Sequence, residues 1–178
     1  MAVQDAIATI VTETPAETEA VGRVLGRALV PGDLVNLQGD LGAGKTLFVK
    51  GLAASLGYDP HDVQSPTFTL VHEHRGERLT LYHLDLYRLD DALAEIEALG
   101  FEEYLEPEDA VTAVEWGERG EPALSRRRFD VVFEVLGSRR RITVYAREIE
   151  RQRIEELQRA FSELGLERTG GAGGGRPT

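Results

Sequence analysis

Eight consecutive residues, Gly39-Asp40-Leu41-Gly42-Ala43-Gly44-Lys45-Thr46, follow the pattern G-x-x-x-x-G-K-[ST]. Glycines at these positions let the backbone curl with its N–H groups pointing inward around a polyphosphate. Lys45 can reach the outer phosphates, and the Thr46 hydroxyl can ligate a magnesium ion. The flanks have the order such a loop requires. Pro31-Gly32-Asp33 reads as a turn and Leu34 to Gln38 as a short, largely apolar strand; Leu47 to Leu56 has helical spacing and stops at Gly57. Lys45 and Lys50 are the only lysines among many arginines. A loop that needs a compact ammonium cannot accept the wider guanidinium fork.

A chain of 178 residues suffices for one well-buried domain and is short for two. The formal net charge of −11 argues against a broad basic footprint for nucleic acid or anionic membrane, so any RNA connection is expected to be indirect. Without cysteine there is neither a disulfide nor a thiolate metal site. No basic segment leads into an apolar run at the N-terminus, and no apolar stretch reaches the length of a membrane span. The expected location is the cytoplasm, with no membrane partner.

Ala6 to Thr12 is a β-branched strand candidate, and Thr14-Pro15-Ala16-Glu17 offers an N-cap, a proline at the first helical position and a capping-box glutamate. The helix that follows is predicted to run to about Leu29. Pro66 to Glu73 and Leu79 to Leu86 read as a hairpin around Arg75-Gly76-Glu77-Arg78. Asp91 to Leu99 reads as a short acidic helix ending at Gly100, and Ala110 to Val114 as an apolar strand finishing at Glu115-Trp116. A second hairpin, Phe129 to Leu136 with Arg141 to Ala146, turns at Gly137-Ser138. An amphipathic helix from Arg147 to Leu164 closes the pattern. The expected fold is α/β: a single P-loop NTPase-like domain over residues 1–165, its mixed parallel and antiparallel sheet flanked by helices. The glycine-rich tail, residues 166–178, is expected to be disordered.

A nucleotide-hydrolysing loop needs a carboxylate across from Thr46, usually at the end of an apolar strand. Glu115 and Asp85 compete for that place. Glu115 is favoured for the metal and Asp85 for positioning or deprotonating the attacking water, with the reverse assignment open. Ser65 and Thr67, in Ser65-Pro66-Thr67-Phe68-Thr69, suit a segment that touches a terminal phosphate; the plainer reading is an ordinary strand start. Trp116 either caps the site against water or packs in the core. His83 reads as a structural residue before it reads as a proton shuttle. The acidic run from Glu95 to Asp109 is a solvated face or a docking surface for a basic partner.

Taken with the loop, Ser65-Pro66-Thr67-Phe68-Thr69, His83-Leu84-Asp85-Leu86-Tyr87-Arg88, Leu99-Gly100-Phe101 with Glu103-Tyr104, and Glu115-Trp116 resemble the TsaE family of bacterial ATPases in order and spacing. The likeness covers roughly the first 150 residues. It implies ATP and magnesium as cofactors, TsaB and TsaD proteins as partners, and a part in the threonylcarbamoyl modification of adenosine 37 in tRNA. It also implies weak hydrolysis alone that rises with partners. By resemblance, Lys45 and Thr46 hold phosphate and magnesium, Glu115 is a second magnesium contact, and Asp85 and Trp116 support hydrolysis. Gly117-Glu118 departs from the proline many relatives carry after the tryptophan. Two other readings of the loop remain. A small-molecule kinase would need an arginine lid, for which only Arg126-Arg127-Arg128 is available. A passive switch would bind without hydrolysis, and a guanine-reading Asn-Lys-x-Asp is absent because Asn36, the only asparagine, precedes leucine.

Overall fold

The computed structural model describes residues 6–168. It forms a single α/β domain around one seven-stranded mixed sheet. In spatial order the strands are β1 (Ala8–Thr12), β7 (Arg139–Arg147), β6 (Arg128–Leu136), β2 (Leu34–Gln38), β5 (Ala110–Glu115), β4 (Thr80–Asp85) and β3 (Val71–Arg75). The four in the middle, β6, β2, β5 and β4, pair in parallel; β1, β7 and β3 add antiparallel edges. Burial on both faces explains why β2 and β5 read as largely apolar instead of alternating.

Side chains alternate between two cores. Val35 and Leu37 of β2 join the core beneath α1 (Pro15–Ala28), α2 (Lys45–Leu56) and α5 (Arg151–Glu163). Leu34 faces the opposite core, built with α3 (Ala92–Leu99), α4 (Glu102–Leu105) and a 3-10 segment over Gly117–Ala123. Asn36 faces the same way as Leu34 and donates from Nδ2 to Asp130 Oδ1 at 2.8 Å. Arg128 Nε donates to the same oxygen at 2.8 Å, and the Arg147 guanidinium also binds Asp130. A buried carboxylate so fully supplied with donors is tolerated where a lone one would not be.

The N-terminus of α1 forms as expected: Thr14 accepts the Glu17 N–H at 3.2 Å and Pro15 opens the helix. The Glu17 carboxylate reaches one residue further back, to the Glu13 N–H at 2.6 Å. Three boundaries differ from the sequence reading. Arg147 continues β7, paired with Arg128, and α5 begins only at Arg151, because ladder bonds outcompete helical spacing there. Residues 66–70 form a turn instead of opening β3; the Leu70 N–H closes onto the Pro66 carbonyl and Leu70 has φ 67. Leu166 packs on the core and the Val11 N–H donates to the Glu167 carbonyl, so contacts with the sheet continue past residue 165. The rest of the expected tail, residues 169–178, lies outside the described residues.

Helices α1 and α2 touch backbone to backbone. A Cβ on Gly22 would stand 2.2 Å from the Phe48 carbonyl oxygen, and one on Gly51 would stand 2.0 Å from that of Glu19. This contact seats α2, and with it the loop that opens the helix. Gly51→Ala is expected to lower stability by about 1–3 kcal/mol through overpacking, outweighing the roughly 0.5–1 kcal/mol of helix propensity that alanine adds. Urea denaturation measures this; a variant as stable as the wild type would mean that the two helices part freely.

Candidate nucleotide site

The glycine loop occupies the bend between β2 and α2. Gly39, Gly42 and Gly44 take φ values of 145°, 77° and 107°, a region closed to most L-residues. Gly44 is the N-cap of α2 and supplies no side-chain cap. The N–H groups of the first helical residues therefore have no intrahelical acceptor, and the positive end of the helix dipole faces the loop. These are the conditions under which a helix start binds an anion.

Lys45 is buried and folds back over the loop, donating from Nζ to the Asp40 carbonyl at 2.9 Å and also to that of Gly39. The same ammonium lies 4.0 Å from the centroid of the Trp116 ring. Burial pulls its pKa below the usual lysine range, against the opposing pull of Glu115, Glu118, Asp85 and Asp40. Two carbonyl oxygens and the indole face surround the ammonium.

Parallel pairing brings the two candidate carboxylates to adjacent strand ends: Asp85 lies opposite Glu115 and Glu115 opposite Leu37. Thr46 Oγ1 donates to Glu115 Oε1 at 2.9 Å. Asp85 Oδ2 accepts Ser65 Oγ at 2.6 Å and Thr67 Oγ1 at 2.8 Å, while Oδ1 accepts the Tyr87 N–H at 2.9 Å. Three donors, two side-chain hydroxyls and one backbone N–H, thus converge on Asp85. It ties down the turn that carries Ser65 and Thr67. Trp116, at φ 60, lines the site and stacks at a tilt against Tyr87 with centroids 5.0 Å apart. It meets both expected places at once, lining the cavity and packing on the core built around Leu34 and Leu84.

Leu41, Gly42, Gly44, Lys45, Thr46, Ser65, Thr67, Asp85, Glu115 and Trp116 thus surround one cavity of about 340 Å³. Of the other loop residues, Ala43 is buried in the core and Asp40 is exposed. The sequence reading missed Tyr87 in the wall and the contact of His83 Nε2 with Glu115 Oε1 at 2.9 Å. The alternation His83-x-Asp85 was the available signal, since both must share one face of β4. It also missed a second cavity of about 170 Å³ that shares Gly42, Gly44 and Leu47 with the first. Thr12, Glu13, Thr14, Pro15, Thr18, Ser138 and Arg140 complete its walls. Nothing local marks Ser138 and Arg140 for this place; the β6–β7 hairpin brings them there.

The kinase reading loses its lid. Arg128 pairs with Leu34 at the start of β2, the end of the parallel strands remote from the loop, and is held by Asp130 and Glu121. Arg127 binds Asp33 and Glu150. Asn36 is buried within β2 with its amide on Asp130, and it lines neither cavity of the site.

A glycine loop between a central parallel strand and a helix, with carboxylates at the neighbouring strand ends, is the arrangement of a P-loop nucleotide-binding protein. The family model described as threonylcarbamoyl adenosine biosynthesis protein TsaE matches residues 12–143. The chain belongs to the TsaE family. It is 42% identical over 126 residues to the tRNA threonylcarbamoyladenosine biosynthesis protein TsaE of Bacillus subtilis, covering 71% of this chain and 77% of that one. The protein of the same name from Treponema pallidum is 43% identical over 135 residues, covering 75% of this chain and 97% of its own length. The crystal structure of Bacillus subtilis YdiB superposes with a TM-score of 0.66 at 34% identity, over 88% of this chain and 93% of that one.

Replacing Asp85 by alanine strands three donors. The expected loss is about 1–3 kcal/mol of stability, with faster amide exchange across residues 65–70. Hydrogen-exchange mass spectrometry reads both the amplitude and the place. Unchanged protection in that turn would show that the carboxylate does not anchor it.

Proposed function

We propose that this protein is an ATP hydrolase that assists TsaB and TsaD in forming threonylcarbamoyladenosine at position 37 of tRNA, coupling hydrolysis to its partners' catalytic cycle. The observation that carries the reading is the 2.9 Å contact between Thr46 and Glu115 beside the buried Lys45. It joins a hydroxyl and a carboxylate, the hard oxygen donors that magnesium prefers. Among the described residues no group of three or more His, Cys, Asp or Glu side chains could hold a metal ion by itself. That fits an ion that arrives with phosphate oxygens and keeps several waters. When bound, it would neutralise charge developing on the phosphates.

In this reading, the loop N–H groups and Lys45 bind and orient the phosphates. Thr46 and Glu115 hold the magnesium side. Asp85 positions Ser65 and Thr67 toward the terminal phosphate, and Trp116 with Tyr87 excludes water. The second cavity seats the nucleoside, because it opens from the same glycines and from Leu47, next to the loop's end. A tRNA contact would run through the partners, since the chain carries a net charge of −11. No helix among the described residues is long and apolar enough to cross a membrane, and we assign the protein to the cytoplasm.

Purified protein is expected to release inorganic phosphate from ATP slowly alone and faster with TsaB and TsaD, only with magnesium. Lys45→Ala and Glu115→Gln should each lower the rate by about 100-fold or more. Equal rates with and without partners, together with tRNA modification supported by Lys45→Ala, would end the proposal. The nucleoside seat has its own test. Ser138→Trp should weaken ATP binding about tenfold while inorganic triphosphate binds as before, since filling the seat removes only base and ribose contacts. Calorimetry with both ligands decides it; parallel losses for the two would place the nucleoside elsewhere.

A further inference from the structure

His83 is fully buried, yet its role is not that of a packing residue alone. In β4 it lies opposite Ala113, two residues before Asp85, and so shares the face that carries Asp85 and Glu115. Its Nε2 stands 2.9 Å from Glu115 Oε1, while its Nδ1 is buried with no hydrogen-bond partner among the described residues. An ionised carboxylate can only accept, so a bare Nε2 would meet Glu115 Oε1 lone pair to lone pair. The ring proton therefore belongs on Nε2, where Glu115 accepts it. The oxygen that receives this bond is the one that also receives Thr46 Oγ1. Two donors from two different elements thus fix a single carboxylate oxygen that is almost out of water.

We propose that His83 is a positioning residue whose Nε2–H fixes the Glu115 carboxylate against Thr46 and so sets the magnesium dependence of nucleotide binding. The inference rests on the reading of Thr46 and Glu115 as the magnesium side of the site. Without the bond, the glutamate regains side-chain rotamers that it must give up again when a cation is bound. Hydrogen-bond partners of metal-side groups are worth about 10–100-fold in metal affinity. The phosphate cradle itself, made of the loop N–H groups and Lys45, does not touch His83. Nucleotide affinity in the absence of metal is independent of the histidine.

The test uses the full chain and a fluorescent ADP analogue, titrated in EDTA and again across a magnesium series, for wild type, His83→Leu and His83→Gln. The expected result is that His83→Leu binds in EDTA within about twofold of wild type but needs about tenfold more magnesium for half-maximal enhancement. His83→Gln, whose amide Nε2 can donate from nearly the same place, should recover most of that loss. Equal losses in EDTA and in magnesium would make His83 merely structural, and an unchanged magnesium requirement in His83→Leu would remove its link to Glu115. Should His83→Leu not fold, the wild type still decides: long-range proton–nitrogen NMR must find the Nε2-protonated tautomer, and an Nδ1-protonated ring overturns the proposal. A wild type that binds nucleotide equally with and without magnesium defeats the reading of Thr46 and Glu115 as well. Magnesium dependence that is the same in wild type and His83→Leu defeats only the inference.

Discussion

A carboxylate held nearly out of water must find donors, and Glu115 finds them on two separate elements, the first turn of α2 and the strand β4. That requirement ties the site together. It demands that β5 lie beside β2, so that Glu115 emerges next to the loop, and beside β4, so that His83 and Asp85 stand on the same side. The parallel centre of the sheet meets both demands at once. Moving β5 by one residue would turn Glu115 to the opposite face and leave Thr46 without its acceptor.

The loop is seated by contacts that lie away from it. Helix α2 starts at the glycine bend, and its lower half is pressed against α1 at Gly22 and Gly51, where backbone meets backbone without intervening side chains. Phe48, at the contact, packs edge-on against Phe133 from β6. The strand on one side and the helix pair on the other thus hold both ends of a loop that itself buries Ala43 in the core. Leu41, at its tip, is 75% exposed.

A second polar structure supports the far end of the sheet. Asp33 is fully buried just before β2 and accepts from Arg153 of α5 and from Arg127. Asp130 draws Arg128, Arg147 and Asn36 together on the other face. These pairs take up Arg127 and Arg128 of the basic run at the end of the strands opposite the phosphate loop. Charge in that run serves the fold, and the cavity is left to a single lysine.

The glycine loop, its strand and its helix were legible because each depends on neighbours in the chain: φ-permissive residues at the bend, an apolar run before it, helical spacing after it. The order of motifs pointed to the TsaE family on the same footing. Local reading failed where partners come from afar. Arg147 looked helical until pairing with Arg128 made it a strand residue, and residues 66–70 looked extended until Asp85 drew Ser65 and Thr67 into a turn. The joining of His83 to Glu115, and of Ser138 and Arg140 to Thr12 and Thr18 around the second cavity, spans from 32 to over 120 positions. Such contacts carry no periodic trace. The chain alone therefore determined that a phosphate-binding bend would form and which strand and helix would frame it; only the tertiary structure decided which side chains share an oxygen there, because sheet order and register arise from contacts between distant segments.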